Sequence, residues 1–324
     1  MSEASDVSDA SVARPRVSVV VPARDAAATL ADCLRALATQ RLPPAEFEVI
    51  VVVDLRSRDA TAAIARAAAV RVIEIRPDVG NARYTAGARN VGMHAARGEW
   101  VALVDADCVP SRGWLRALLE AADAARPAPL AVAGLTIGTD SRSPAARYVD
   151  LTGGLRSDRH LAHPRYPWPV ALNVMYRTDA LLAVDGYDDR FVSYEQADLH
   201  LRLTRQVGGE TLFEERALVS HHHRASWRAY WRQQLSYGSG YAQFFLRYRD
   251  ELPWGPAREL RSWAELVPLA ARAAVPGSGD AAIIRRGNLV KSAAQRAGFA
   301  RTYWSRREAT RWREPAGSSV GLGA

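Results

Sequence analysis

Four short runs of β-branched and apolar residues constrain this chain most: residues 17–21, 47–53, 70–75 and 100–104. Each is nearly continuous rather than alternating, which is the pattern of a strand covered on both faces. Helical spacing fills the gaps. Asp25 precedes Leu30, Leu34 and Leu37, Asp59 opens a helical stretch over 59–69, an alanine-rich one covers 84–96, and Ser111 opens another. Strands and helices in this alternation predict an α/β domain on an open, mostly parallel, doubly wound sheet.

Beyond Ala131 the pattern is mixed. Residues 164–169 read as a proline-rich loop, 173–177 as a strand, and 195–206 as a helix ended by Gly208 and Gly209. A long helix is expected after Ser226, with Trp227, Trp231, Leu235, Ala242 and Phe245 on one face and Gly238 and Gly240 weakening it. Residues 253–279 carry several breakers, and 288–313 read as a basic helix.

A length of 324 residues with 48% hydrophobic content suffices for one large α/β domain and a smaller appendage. No uninterrupted apolar run is long enough to cross a bilayer. The start lacks the apolar block of a signal peptide. Two cysteines, Cys33 and Cys108, imply no disulfide framework and fit a reducing cytoplasm. The formal charge is +8, and apart from Lys291 every cationic side chain is arginine. Such a balance attracts phosphate, in a ligand or on a membrane surface. No nucleic-acid motif is recognisable, so no nucleic-acid partner is expected.

In an open parallel sheet, ligands bind beyond the carboxyl ends of the strands. Asp25 lies past the first predicted strand, Asp54 and Asp59 past the second, Asp105 and Asp107 past the fourth. Carboxylates gathered on one rim repel unless a cation or hydrogen-bond donors intervene. In an extended Asp105-Ala106-Asp107 both carboxylates face one side. Hard oxygen ligands suit Mg²⁺ or Mn²⁺, which in turn bind diphosphate.

At this point the sequence resembles the family-two inverting glycosyltransferases. Residues 17–25 (VSVVVPARD) look like that family's opening strand, and 51–61 (VVVDLRSRDAT) like its second motif. Gly87-Ala88-Arg89-Asn90 and 98–107 (GEWVALVDAD) resemble the third and fourth. More loosely, Leu172 to Arg177, Gly186 to Phe191 and Tyr194-Glu195-Gln196-Ala197-Asp198-Leu199 resemble the acceptor side and the motif that supplies the catalytic base. The resemblance implies a GT-A-type open sheet with a C-terminal helical extension. The expected division is a transferase domain (15–225; nucleotide half 15–125, acceptor half 126–225) and a helical extension (226–313), between a disordered leader (1–14), rich in Ser, Asp and Ala, and a disordered tail (314–324).

The implied roles follow residue by residue. Pro22, Ala23, Arg24, Asp25, Asp54, Asp59, Arg89, Asn90 and Asp105 would bind a nucleotide-sugar donor. Asp105, Asp107 and His221 would hold Mg²⁺ or Mn²⁺. Glu195 or Asp198 would be the base, and Asn173, Tyr187 and Tyr194 would lie on the acceptor side. The acceptor would be a glycan, a lipid-linked or a small molecule, as in cell-envelope polysaccharide, glycolipid or natural-product glycosylation.

Two positions depart from the family pattern. Leu55 stands where a second Asp is usual, and Gln196 where the first Asp of the base motif is usual. A neutral amide cannot act as a general base, so a catalytically impaired nucleotide-sugar-binding protein is the alternative. The tract His221-His222-His223 reads equally as a metal ligand set or as a solvated stretch. A sugar-1-phosphate nucleotidylyltransferase would need a glycine-rich loop where Pro22-Ala23-Arg24-Asp25 stands. Neither a dinucleotide fingerprint, a Walker loop nor a nucleophile elbow is present. Trp227 and Trp231 with Arg228, Arg232, Arg247 and Arg249 raise a secondary reading, a peripheral contact at the inner face of the membrane.

Overall fold

The computed structural model describes residues 14–76, 85–139, 141–252 and 255–305, with Glu308, Thr310 and Trp312 beyond them. The predicted tail, and the predicted leader apart from Arg14, lie outside the described residues. The strands are β1 (Val17–Ala23), β2 (Phe47–Asp54), β3 (Arg71–Ile75), β4 (Trp100–Leu103), β5 (Cys108–Pro110), β6 (Ala131–Gly138), β7 (Val174–Arg177) and β8 (Thr211–His221). They form one sheet in the order β3-β2-β1-β4-β7-β6-β8-β5. The half from β3 to β4 is parallel, whereas β7 runs antiparallel to both β4 and β6. β8 lies parallel to β6, and β5 closes the edge antiparallel to β8.

The helices are α1 (Leu30–Ala38), α2 (Thr61–Ala67), α3 (Thr85–Ala95), α4 (Trp114–Ala124), α5 (Pro144–Thr152), α6 (Ser157–Leu161), α7 (Thr178–Ala183), α8 (Glu195–Gln206), α9 (Trp227–Arg247), α10 (Pro256–Ala264), α11 (Leu266–Ala274) and α12 (Gly279–Tyr303). The continuous apolar strands divide by parity, as the two-residue period demands. Val19, Val21, Val51 and Val53 face α1 and α4 through Leu30, Leu37, Trp114 and Leu118. Val20, Ile50 and Val52 face the other layer, with Met93 of α3, Leu181 of α7 and Leu199 of α8. Both faces are therefore dry, and the polar chemistry is left to the strand ends. The chain leaves β1 for β2 on one side and returns to β4 on the other, so the switch point, where such sheets bind ligands, lies between β1 and β4.

The second half differs from the sequence reading in several places. β6 and β8 form there although no strand is legible. β8 carries Glu214, Glu215 and Arg216 in its middle, where its register against β6 shifts after Gly134, and the alternation is lost. Residues 253–279, rich in breakers, nonetheless hold α10 and α11, neither of which buries a side chain. Asp25 caps no helix, since α1 begins after Thr29. The long helix after Ser226 does form, and Ser226 accepts a hydrogen bond from the Ala229 N–H at 3.2 Å. Its glycines are packing positions. A Cβ on Gly238 would stand 1.9 Å from the Gln295 carbonyl oxygen of α12, and one on Gly298 2.1 Å from the Leu235 carbonyl oxygen of α9. This reciprocal close approach fixes α12 across α9.

Candidate active site

The ends of β1, β2 and β4 open into a cavity of about 510 Å³. Pro22, Ala23, Arg24 and Asp25 form one wall, with Asp54, Asp105 and Asp107 beside them and Arg224 opposite. Asp25 sits in the left-handed region (φ 47°), which Asp tolerates better than most residues, and accepts from the Arg58 N–H at 2.8 Å. Burial pushes the Asp54 carboxyl up, but hydrogen bonds from Arg56 outweigh it and hold the pKa below the usual range. Asp59 does not line the cavity. Its carboxylate accepts from the Thr61 N–H and hydroxyl and from the Ala27 N–H, tying the β1–α1 turn to α2.

Arg89 links this rim to α8. It is 5% exposed, and it donates to Asp105 at 2.8 Å and to Glu195 at 2.9 Å. Burial opposes its charge, yet the Asp105 and Glu195 carboxylates more than offset that and raise its pKa. Glu195 is also buried, and burial pushes its pKa above the ordinary glutamate value against the pull of Arg89. The first residue of α8 is thus a poised carboxyl. It lies on a second cavity of about 560 Å³, which shares Thr85, Asp105, Val192 and Arg224 with the first. Tyr194, just before the helix, is held at φ 68°, an uncommon conformation for an aromatic residue. Ser193 is clamped by α9, where a Cβ on Gly240 would stand 2.1 Å from the Ser193 hydroxyl.

Asp198 occupies a different setting. It is fully buried, and its oxygens accept from Arg202 at 2.8 Å, Arg247 at 2.7 Å and the Tyr248 hydroxyl at 2.7 Å. It lines none of the cavities described, being shielded by the cations that neutralise it.

Asp107 and His221 meet at the other end of the rim, 3.4 Å apart. Behind them the His221 and His223 Nδ1 atoms are 2.8 Å apart, and His223 Nε2 lies 3.1 Å from Asp150. The tautomers follow from the partners. An ionised Asp150 only accepts, so His223 Nε2 carries hydrogen and its Nδ1 accepts from His221 Nδ1–H. His221 Nε2 then faces the Asp107 carboxylate. A carboxylate oxygen and an imidazole nitrogen converging at that distance offer two ligand atoms of the kind that hold a divalent ion. One carboxylate and one imidazole suit Mn²⁺ better than all-oxygen Mg²⁺. Cys108 lies within 4.8 Å of the same atoms but is fully buried, and burial pushes its thiol pKa well up. Asp105 stands outside that cluster, engaged with Arg89.

Three further predicted residues turn inward. Asn90 exchanges hydrogen bonds with the Tyr187 backbone at 2.7 and 2.8 Å. Asn173 is fully buried and binds Trp114 Nε1 and the carbonyls of Leu135 and Ala217. Tyr187 packs beneath Arg89, its buried hydroxyl without a partner among the described residues. The four arginines and two tryptophans of the predicted membrane face do not form one surface. Arg247 is engaged with Asp188 and Asp198, Arg232 lines the second cavity, and Trp227 packs on Tyr148 and Tyr230. Sequence reasoning missed Arg224 and Asp150. Arg224 directly follows the histidine tract, which is a usable signal, whereas Asp150 is joined to the site only by folding.

A family profile described as Glycosyl transferase family 2 matches residues 18–143. A pre-mycofactocin glycosyltransferase of Mycobacterium tuberculosis is 30% identical over 257 residues, 75% of this chain and 52% of that protein. This chain belongs to glycosyl transferase family 2. The family-two chain spans about half the length of those mycobacterial relatives. Glycosyltransferase AglE of Haloferax volcanii is 38% identical over 104 residues, covering 31% of this chain and 33% of that one. Among solved structures, a mannosyltransferase from Pyrobaculum calidifontis in complex with GDP-Man and Mn²⁺ superposes with a TM-score of 0.64 at 21% identity, over 90% of this chain and 88% of that one. At that identity the likeness speaks to the fold, which is the expected GT-A type.

Proposed function

We propose that this family-two chain transfers a glycosyl group from a nucleoside diphosphate sugar to an acceptor hydroxyl, with inversion at the anomeric carbon. The observation that carries the reading is the Arg89 bridge. It fixes Glu195, a buried carboxyl, on a cavity that adjoins the acidic strand-end cavity through Asp105. Pro22, Ala23, Arg24, Asp25 and Asp54 would line the nucleoside side, and Asp105 the sugar side. Asp107 and His221 would hold Mn²⁺ or Mg²⁺. When bound, the ion supplies Lewis-acid neutralisation of the diphosphate leaving group.

Glu195 then acts as the base. It accepts the acceptor's hydroxyl proton as that oxygen bonds the anomeric carbon, and the bond to the diphosphate oxygen breaks on the opposite face. A glutamate whose pKa is raised by burial is better matched to this task than an ordinary surface carboxylate. Gln196 beside it supplies no base, and Asp198 is enclosed by cations. A single carboxylate and a single leaving-group site suffice for one displacement.

The test is a thermal-shift screen of nucleoside diphosphates with and without Mn²⁺, followed by turnover of a nucleotide-sugar panel. Mn²⁺-dependent stabilisation and sugar transfer are expected. Asp107→Asn is expected to abolish the Mn²⁺ dependence and to lower turnover by about 10² or more, with melting unchanged. Stabilisation by nucleotide and Mn²⁺ without any sugar release would instead support the impaired binding protein that Gln196 and Leu55 raise.

No described helix is long and apolar enough to cross a membrane. A peripheral contact would use α10 and α11, where Leu260 and Val267 are more than 70% exposed. Flotation with anionic vesicles tests it, and loss of binding in Leu260→Glu is expected.

A further inference from the structure

A third cavity, of about 220 Å³, lies between α5, α6, α9 and α12 and is walled off from the strand ends by His221 and His223. It meets the Glu195 cavity along Gln196, Arg224, Gln233 and Tyr237. Trp168, Tyr194 and Tyr230 give it aromatic walls, and no carboxylate lines it among the described residues. Its far wall carries Lys291 of α12, the only lysine in the chain.

Lys291 is half-buried, and among the described residues its ammonium meets no carboxylate and no hydrogen-bond acceptor. An unpaired ammonium withdrawn from water is costly unless something arrives to pair with it. Burial also lowers its pKa, the sign of a cation without a partner. The setting is unlike that of Arg89, Arg202 and Arg247, which each hold one or two carboxylates. A compact ammonium suits a point contact to a single anionic oxygen.

Gln196 is compatible with an anion at Lys291. It lies on the wall common to this cavity and the Glu195 cavity, and its side chain is a neutral amide. A second carboxylate there would repel an anion held by Lys291, and a neutral amide does not.

We propose that this cavity is the acceptor subsite and that Lys291 binds an anionic group, carboxylate or phosphate, on a ring-bearing acceptor packed against Trp168. The proposal rests on the transferase reading for the word acceptor, but the anion site stands on its own geometry. The C-terminal extension thereby selects the acceptor, through a residue that the crossing of α12 over α9 sets in place.

The test uses the full chain and three probes: 4-hydroxybenzoate, 4-hydroxyphenyl phosphate and the neutral 4-hydroxybenzamide. Binding is read by ligand-observed NMR and by protection of Lys291 from an amine-reactive reagent, with the modified lysine located by mass spectrometry. At least one anion is expected to bind about tenfold more tightly than the amide and to protect Lys291, and the carboxylate and phosphate arms identify which. Lys291→Met is expected to erase the preference while leaving nucleotide–Mn²⁺ stabilisation intact. Gln196→Glu is expected to weaken both anions and not the amide. Equal binding of anion and amide, a preference that survives Lys291→Met, or no protection by either anion at millimolar concentration overturns the proposal. Failure of nucleotide binding in the unsubstituted protein would instead sink the transferase reading, and the Lys291 readouts would still report the anion site.

Discussion

Glu195 and Asp198 stand three residues apart on one helix, yet their surroundings assign them opposite work. Glu195 opens onto a cavity with a single cation behind it, whereas Asp198 is enclosed by two arginines and a tyrosine. Glu195→Gln is therefore expected to lower kcat by about 10²–10⁴ with the melting temperature unchanged or slightly raised, because a costly buried carboxylate is replaced by an amide. Asp198→Ala is expected to act mainly on stability, by about 1–4 kcal/mol, because it removes the fully buried carboxylate that the part-buried Arg202 and Arg247 share. Parallel activity assays and denaturant melts of the two variants separate the roles. Equal stability with equal loss of activity would reverse the assignment. From sequence the two carboxylates were indistinguishable, since both fit the base motif and only the partners folded around them differ.

Among elements, α9 does the most to position the site. Its glycines weaken it as a helix in isolation, and they are where other segments come within contact of its backbone: α12 at Gly238, the Ser193–Tyr194 turn at Gly240. That turn delivers Glu195. Gly240→Val is expected to displace the start of α8 and to cut turnover more than tenfold while costing about 1–3 kcal/mol from overpacking. Gly238→Leu forces α12 away from α9, and a similar or larger drop in stability is expected, with Lys291 carried out of its cavity. Thermal melts together with nucleotide binding, which depends on the other half of the sheet, distinguish these local effects from global unfolding.

For the whole molecule, the concentration of buried charge at the strand ends and around α8 makes pH the natural probe. As the proposed base, Glu195 must be ionised, and its pKa is raised by burial. The acid limb of kcat/KM is therefore expected above the ordinary glutamate range. Stability follows a different group. Burial pushes the Asp188 carboxyl up, but Arg190 and Arg247 outweigh it, so its folded pKa is depressed. A depressed carboxylate contributes stability that is present above its unfolded value and lost as pH falls through the folded one. Activity is thus expected to fall on acidification while the fold persists, with unfolding only at lower pH. Coincident loss of activity and far-ultraviolet circular dichroism would contradict this. The order follows because burial raises the pKa of the proposed base, whereas Arg190 and Arg247 depress that of Asp188.

The parallel half of the sheet and the residues at its strand ends were legible in the chain's apolar pattern. Continuous β-branched runs have one stable environment, a sheet covered on both sides, and that geometry collects Asp25, Asp54, Asp105 and Asp107 on one rim. Tertiary structure alone decided which of those carboxylates are engaged and by what. It turned Asp59, Asn90 and Asn173 to scaffolding, linked Asp107 to Asp150 through two histidines, and brought Lys291 from the last long helix to the wall behind them. Local pattern encodes periodicity and burial, whereas a hydrogen bond between residues a hundred positions apart is set only when helices and strands have packed.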